Sequence, residues 1–143
     1  MKTIREVLPQ EVMGVYPVLK ELRPHISEEQ FKLIYEKARA ADQFSFYGYY
    51  ENNECLGLMG LRYLYDYVHQ FHLYIDDLVV LPSQQSKGIG AELLKFAEAL
   101  AKEKKCTGLR LCTGTENERG KRFYEREKWT ARAVAYKKRT STG

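Results

Sequence analysis

Cysteine is scarce in this chain, and what there is does not pair up. Cys55, Cys106 and Cys112 are odd in number and show no C-x-x-C spacing, which excludes a disulfide framework and a thiolate zinc site as organising devices. Cys106 and Cys112 flank a predicted strand and read as small buried apolar groups. The three histidines, His25, His69 and His72, form no metal spacing with these cysteines. No metal is therefore expected, and His69 and His72 read as sheet-surface residues. No apolar run approaches the roughly 20 residues that span a bilayer. The segment from Met1 to Glu6 lacks the apolar region of a signal peptide. A cytoplasmic location without a membrane partner is the resulting expectation. Internal repeats and low-complexity linkers are absent as well.

What is present is the composition of a globular protein. A chain of 143 residues with 44% hydrophobic and 29% charged residues is long enough for one domain with its own core, expected over residues 1–143. The net charge is +4, and the excess is concentrated at the end. Lys121, Arg122, Arg126, Lys128, Arg132, Lys137, Lys138 and Arg139 face only Glu125 and Glu127 there. No nucleic-acid motif accompanies this basic stretch, so it reads as a solvated face that helps to hold an anionic cofactor.

The chain is organised around residues 76–94. Leu78 to Leu81 form a short apolar, β-branched run that Pro82 closes, since proline cannot donate to a sheet ladder. From Gly90 onward the apolar residues fall at 90, 93, 94, 97, 100 and 101, one face of a helix. Gly88 and Gly90 thus sit where a strand end turns into a helix mouth. The first turn of a helix offers unpaired N–H groups and a positive dipole end. Glycine lets a phosphate approach that backbone without meeting a Cβ, and Lys87 adds a mobile charge. A Rossmann fingerprint would need a third glycine where Leu93 stands, and a Walker loop would need Gly-Lys-Ser or Gly-Lys-Thr; both are missing.

The remaining elements follow in order. Residues 2–7 predict a strand, Pro9 opens a helical pattern through Leu22, and Arg23-Pro24 breaks it. Ser27-Glu28-Glu29-Gln30 is a capping box for a second helix to about Ala41. Strands are expected over 44–50, 55–65 and 69–80, a helix over 88–105, a strand over 108–112 and a helix over 118–128. A final extended segment over 129–138 would close the sheet. Seven of the eleven tyrosines lie between 47 and 74, an aromatic density that mostly marks sheet packing.

Gln85-x-x-Gly88-x-Gly90 after a strand ending Leu-Val-Val resembles motif A of the GNAT superfamily of acetyl-CoA-dependent N-acetyltransferases. The resemblance extends to Asn117 and Tyr124, seven residues apart, and to Phe123-Tyr124-Glu125-Arg126-Glu127-Lys128-Trp129, which stands where that family has F-Y-x-x-x-G-F. Lys128-Trp129 departs from the Gly-Phe pair; loss of a C-cap glycine costs some helix-end stability. The resemblance implies an α/β fold of the order β-α-α-β-β-β-α-β-α-β, with a mixed sheet splayed between strands four and five. It also implies transfer of acetyl from acetyl-CoA to a primary amine, with no metal. The N–H groups of Ser86, Lys87, Gly88, Ile89, Gly90 and Ala91 would hold the pyrophosphate, flanked by Gln85. A bulge near Leu78-Val79-Val80 would free ladder groups for the pantetheine arm. The Val80 N–H would stabilise the oxyanion, Asn117 would bond the cofactor arm, and Tyr124 would protonate the departing thiolate.

A base is needed to deprotonate the amine. Leu73-Tyr74-Ile75-Asp76-Asp77-Leu78-Val79-Val80 is similar to the diamine acetyltransferases, which implies Asp76, while strand alternation turns Asp77 to the other face. Similarity to the aminoalkylphosphonate acetyltransferases, in Leu58 to Leu61 and Arg122-Phe123-Tyr124, pulls toward an acceptor of opposite charge. A small-molecule acceptor leads. A peptide acceptor and a non-catalytic CoA-binding sensor are the alternatives, and a homodimer is expected by analogy alone.

Overall fold

The computed structural model describes residues 1–141 and divides into two compact units, Met1–Leu111 and a smaller one from Cys112 onward. The expected single domain over 1–143 includes Thr142 and Gly143, which lie outside the described residues.

The first unit is built on a five-stranded sheet of order β1-β2-β3-β4-β5. The strands are β1 (Lys2–Glu6), β2 (Ser45–Glu51), β3 (Glu54–Asp66), β4 (Gln70–Val80) and β5 (Gly108–Leu111). The first four pair antiparallel, and β4 pairs β5 in parallel. Three helices cover it: α1 (Tyr16–Leu22), α2 (Glu28–Asp42) and α3 (Ile89–Glu103). The stretch from Pro9 is a 3-10 helix to Val15, and regular α-helix begins only at Tyr16. Ser27 caps α2 as its sequence dictates: its hydroxyl accepts from the Gln30 N–H at 3.1 Å, and the Gln30 side chain accepts from the Ser27 N–H at 2.9 Å.

Strand alternation divides the aromatics between two faces. Phe46 of β2 and Phe44 just before it join Tyr16, Phe31 and Tyr35 of α1 and α2 in one buried core. Tyr47 turns the other way and meets Phe96 of α3, ring centroids 5.5 Å apart. Leu93, Leu94, Ala97 and Ala101 of α3 are buried, as the helical spacing requires.

β4 pairs β5 only from His72 to Ile75, while β4 itself runs on to Val80. Residues 76–80 therefore have no β5 partner, and the sheet is open there. The bulge lies earlier than the expected Leu78–Val80. Gly60 pairs Asp77 and Leu61 pairs Ile75, so Asp76 is the extra residue. Two charged side chains in succession gain least from continued pairing inside a half-buried sheet, and the bulge takes one of them out of register.

The second unit holds α4 (Glu118–Arg126). Contrary to expectation, no strand forms over 129–138 among the described residues. One alternating face of that segment is Trp129, Ala131, Ala133 and Ala135. Alanine has low strand propensity and little surface to bury, and on the other face, with Thr130, Arg132 and Lys138, Val134 and Tyr136 stay exposed. Two cysteine expectations also change: Cys106 is half-buried and Cys112 exposed, because β5 ends at Leu111 before reaching it. No helix among the described residues is long and apolar enough to cross a membrane.

Candidate active site

The stretch from Gln85 to Ala91 forms the turn that the glycines predict. Ser86 and Gly88 both take left-handed backbone, φ +68° and +82°. Gly88 is the N-cap of α3, and no side chain caps the helix. Nothing lies within 4 Å of where a Cβ on Gly88 would stand. The first turn of α3 thus has no side-chain cap on its N–H groups and no neighbour crowding Gly88, which fits a phosphate group. Ile89 is buried, so only its backbone is available to a ligand. The Lys87 ammonium donates to the side-chain oxygen (Oε1) of Gln84 at 3.1 Å.

Beside this turn lies the open edge of β4. The Leu81 N–H donates to the Leu56 carbonyl at 2.9 Å, across the β3 side. Strand alternation then turns the N–H and C=O of Val80 and Leu78 away from β3, toward the open edge. The Gln85 side chain donates to the Val80 carbonyl there, at 3.3 Å. Val79 has the opposite parity, and its side chain packs into the α1–α2 core.

On the α1–α2 face the sheet and helices border an open cavity of about 320 Å³. Phe31, Tyr35, Phe44 and Phe46 supply aromatic wall, and Arg23, Arg62, Asp76 and Asp77 supply its charge. The bulge brings both aspartates to this one cavity, whereas plain alternation would separate them. The Arg62 guanidinium grips Asp76 with two bonds of 2.8 Å, one to each oxygen. Arg23, one residue past α1, donates to Asp77 Oδ1 at 3.1 Å and to the Asp76 carbonyl at 3.2 Å. Asp77 Oδ2 occupies space that glycine leaves: a Cβ on residue 60 would stand 3.0 Å from it. Burial pushes the Asp77 carboxyl above its ordinary range, and the neighbouring Asp76 charge adds to the rise, against the opposing pull of Arg23.

In the second unit, Asn117 is the N-cap of α4. Its side-chain oxygen accepts from the Gly120 N–H at 3.0 Å, and its amide donates to Thr113 Oγ1 at 2.9 Å. Tyr124, two turns on, packs against Phe123 and Trp129 with ring centroids at 5.1 and 6.1 Å. Burial raises its phenol pKa. Lys128, where the family pattern has glycine, sits at φ +74°. The backbone thus keeps the left-handed cap that the pattern implies.

Sequence reasoning missed the arginines. Neither Arg23, treated as a helix breaker, nor Arg62 carried any signal of its partner; only the acidic pair 76–77 hinted that cations would be needed. It also missed the surroundings of His72, which is 1% exposed rather than on the sheet surface. Its Nε2 accepts from Arg110 at 2.9 Å, and its Nδ1 lies 3.0 Å from the Gln70 carbonyl. Asp66, His69 and His72 come within 4.8 Å of one another, but Arg110 already supplies the cation: it also lies 3.7 Å from Asp66.

Solved structures with this fold span almost the whole chain. An aminoglycoside N-acetyltransferase, AAC(6')-Iy, solved in complex with CoA, is 19% identical with a TM-score of 0.84, covering 97% of this chain and 95% of its own. Glucosamine-6-phosphate N-acetyltransferase from Arabidopsis thaliana is 18% identical with a TM-score of 0.76, covering 99% of both chains. A protein described as a transcriptional regulator from Bacillus halodurans C-125 is 21% identical with a TM-score of 0.77, covering 97% of this chain and 99% of its own. At such identities the likeness concerns the fold. The sequence model of the Acetyltransferase (GNAT) family adds what the fold alone does not: it matches residues 12–128, through both the glycine turn and the Asn117–Tyr124 helix, and the chain belongs to that family.

Proposed function

We propose that this chain transfers the acetyl group of acetyl-CoA to a primary amine of a small-molecule acceptor, by direct attack within a ternary complex. The observation that carries the reading is the open edge of β4. The N–H and C=O of Leu78 and Val80 face outward there, immediately beside an uncapped helix mouth. Acetyl-CoA, when bound, supplies the activated thioester. The N–H groups of Ser86, Lys87, Gly88, Ile89, Gly90 and Ala91 would hold its pyrophosphate, with Gln85 alongside. Leu78 and Val80 would pair its extended arm as a strand does, with Val79 fixing their outward parity from the core. The Val80 N–H would donate to the developing oxyanion.

The amine enters as ammonium and must lose a proton before its nitrogen can attack. Asp76, the base expected from sequence, has both oxygens in the Arg62 fork. Asp77 has its pKa raised by burial and by Asp76. We therefore assign the proton to Asp77 and give Asp76 the role of its electrostatic partner, with Asp76→Asn as the control. Tyr124, protonated at neutral pH, would return a proton to the departing thiolate, and Asn117 would contribute by fixing the start of the helix that bears it.

The test is release of free CoA thiol with purified protein, acetyl-CoA and a panel of amines. The panel spans monoamines, diamines, aminophosphonates, aminoglycosides and short peptides. Turnover on a small amine is expected, falling about 10²-fold or more in Tyr124→Phe, the range of a lost general acid. Full turnover in that variant would overturn the role of Tyr124. Preference for peptides would overturn the acceptor class.

A further inference from the structure

The cavity between the sheet and the α1–α2 pair has a wall chemistry that selects among amines. Phe46 is the ring its aromatic wall is built around. It stacks on Phe31 and on Tyr35 with centroids 5.9 Å apart in both pairs, and it meets Phe44 edge-on at 4.9 Å. These rings occupy each other's faces and edges, so together they form an apolar wall rather than an open cage for a cation. The charged groups of the cavity lining pair off: Arg62 with Asp76 and Arg23 with Asp77, each within 3.0 Å, with Arg62 also reaching Asp42, outside the lining, at 3.3 Å. No carboxylate is left over to hold a second ammonium, and no cation is left over to hold a phosphonate. The volume, about 320 Å³, is at the small end for ligand pockets.

Geometry also sets how far the amine stands from the apolar body. A Cβ on Gly60 would be 2.5 Å from Phe44 Cζ and 3.0 Å from Asp77 Oδ2, so the aromatic wall begins directly beside the carboxylate. A ligand with its nitrogen on Asp77 places the next few atoms against Phe44.

We propose that the acceptor is a compact monoamine bearing an aromatic or similarly flat apolar group on a short linker, and that the cavity discriminates against diamines, aminophosphonates and aminoglycosides. The proposal rests on the acetyl-transfer reading for its chemistry, but the cavity is tested independently of turnover. CoA-saturated full-length protein is titrated calorimetrically with 2-phenylethylamine, 1,4-diaminobutane, 2-aminoethylphosphonate and an aminoglycoside, and thiol release is measured with acetyl-CoA for each.

The aryl amine is expected to exceed each of the others about tenfold or more in kcat/KM, a typical discrimination for an apolar pocket. Ala38→Phe, which fills the cavity from α2, is expected to raise KM for the aryl amine about tenfold with acetyl-CoA affinity unchanged. Ile34→Lys, at an exposed lining position (54%), sets an unpaired cation against the ammonium and gives the same readout if Ala38→Phe fails to fold. A preference for any of the charged acceptors overturns the proposal. If acetyl-CoA binds and no amine releases thiol, the transfer reading fails. Calorimetry then decides the cavity alone: aryl-amine binding lost in Ala38→Phe supports it, and no aryl-amine binding overturns it.

Discussion

Around Gly88 the candidate site is made of backbone; around Asp77 it is made of side chains. The glycine turn and the open edge of β4 present N–H and C=O groups whose directions follow from φ, from helix start and from strand parity. The aromatic cavity instead needs α1, α2, β2, β3 and β4 to converge, and its charges are set by two arginines from distant parts of the chain. A backbone site tolerates change of side chain and fails when the main chain is forced elsewhere. A side-chain site fails one functional group at a time. The two halves of the site are therefore separable by mutation.

The largest effect is expected at Asp77. Asp77→Asn keeps the shape but removes the proton acceptor, and turnover should fall by about 10² to 10⁴ while acetyl-CoA affinity is unchanged. Stability should move the other way. The folded-state pKa of Asp77 lies above its ordinary value, so between the two values the folded state binds more protons than the unfolded one. Its contribution to stability then falls as pH rises through that window. At pH 7 the buried carboxylate is a net cost, and Asp77→Asn should melt higher than the parent, with the gap closing toward pH 4. In the parent, kcat/KM should rise with pH as the Asp77 carboxylate forms. A variant that melts lower at pH 7 and keeps its turnover would give Asp77 a structural role and return the proton to Asp76.

The next effect belongs to the backbone half. At φ +82° Gly88 is replaceable by L-residues only at about 1–2 kcal/mol, and a β-branched residue is worse. Gly88→Val should weaken acetyl-CoA binding about tenfold by calorimetry, since roughly 1.4 kcal/mol is one decade in affinity. Binding of the acceptor amine to the α1–α2 cavity should be unaffected. Loss of both affinities together would mean that the two halves are one cooperative unit.

This division also decides what could be read from the sequence. The glycine turn, the capping box at Ser27 and the strand–helix–strand order are local patterns, and all are in the structure. Lys128 is instructive: the residue departs from glycine, yet the chain takes the left-handed conformation regardless. A helix end is imposed by packing as well as by propensity. The bulge at Asp76 was not readable, because a single extra residue leaves no trace in alternation that is already broken by two aspartates. Arg62 and Asp76 stand fourteen residues apart and Arg23 and Asp77 fifty-four, so those pairs are products of topology. The last segment, expected to close the sheet, forms no strand, because its alanine face offers little of the burial that stabilises one.

The smallest effect tests the backbone reading most directly. Ser86 lies at φ +68° within the turn, a conformation that costs a serine about 1 kcal/mol and glycine almost nothing. Ser86→Gly removes that cost but also gives the unfolded chain more freedom, which offsets part of it. The net gain in stability should be under about 1 kcal/mol, read as a small rise in Tm. If the turn binds through its N–H groups, the substitution leaves them all in place, and acetyl-CoA affinity should change by less than about threefold, well below 1 kcal/mol. A loss beyond tenfold would show that the Ser86 hydroxyl is itself a ligand. The turn would then belong with Asp77 among the side-chain sites, and the contrast between the two halves would not hold.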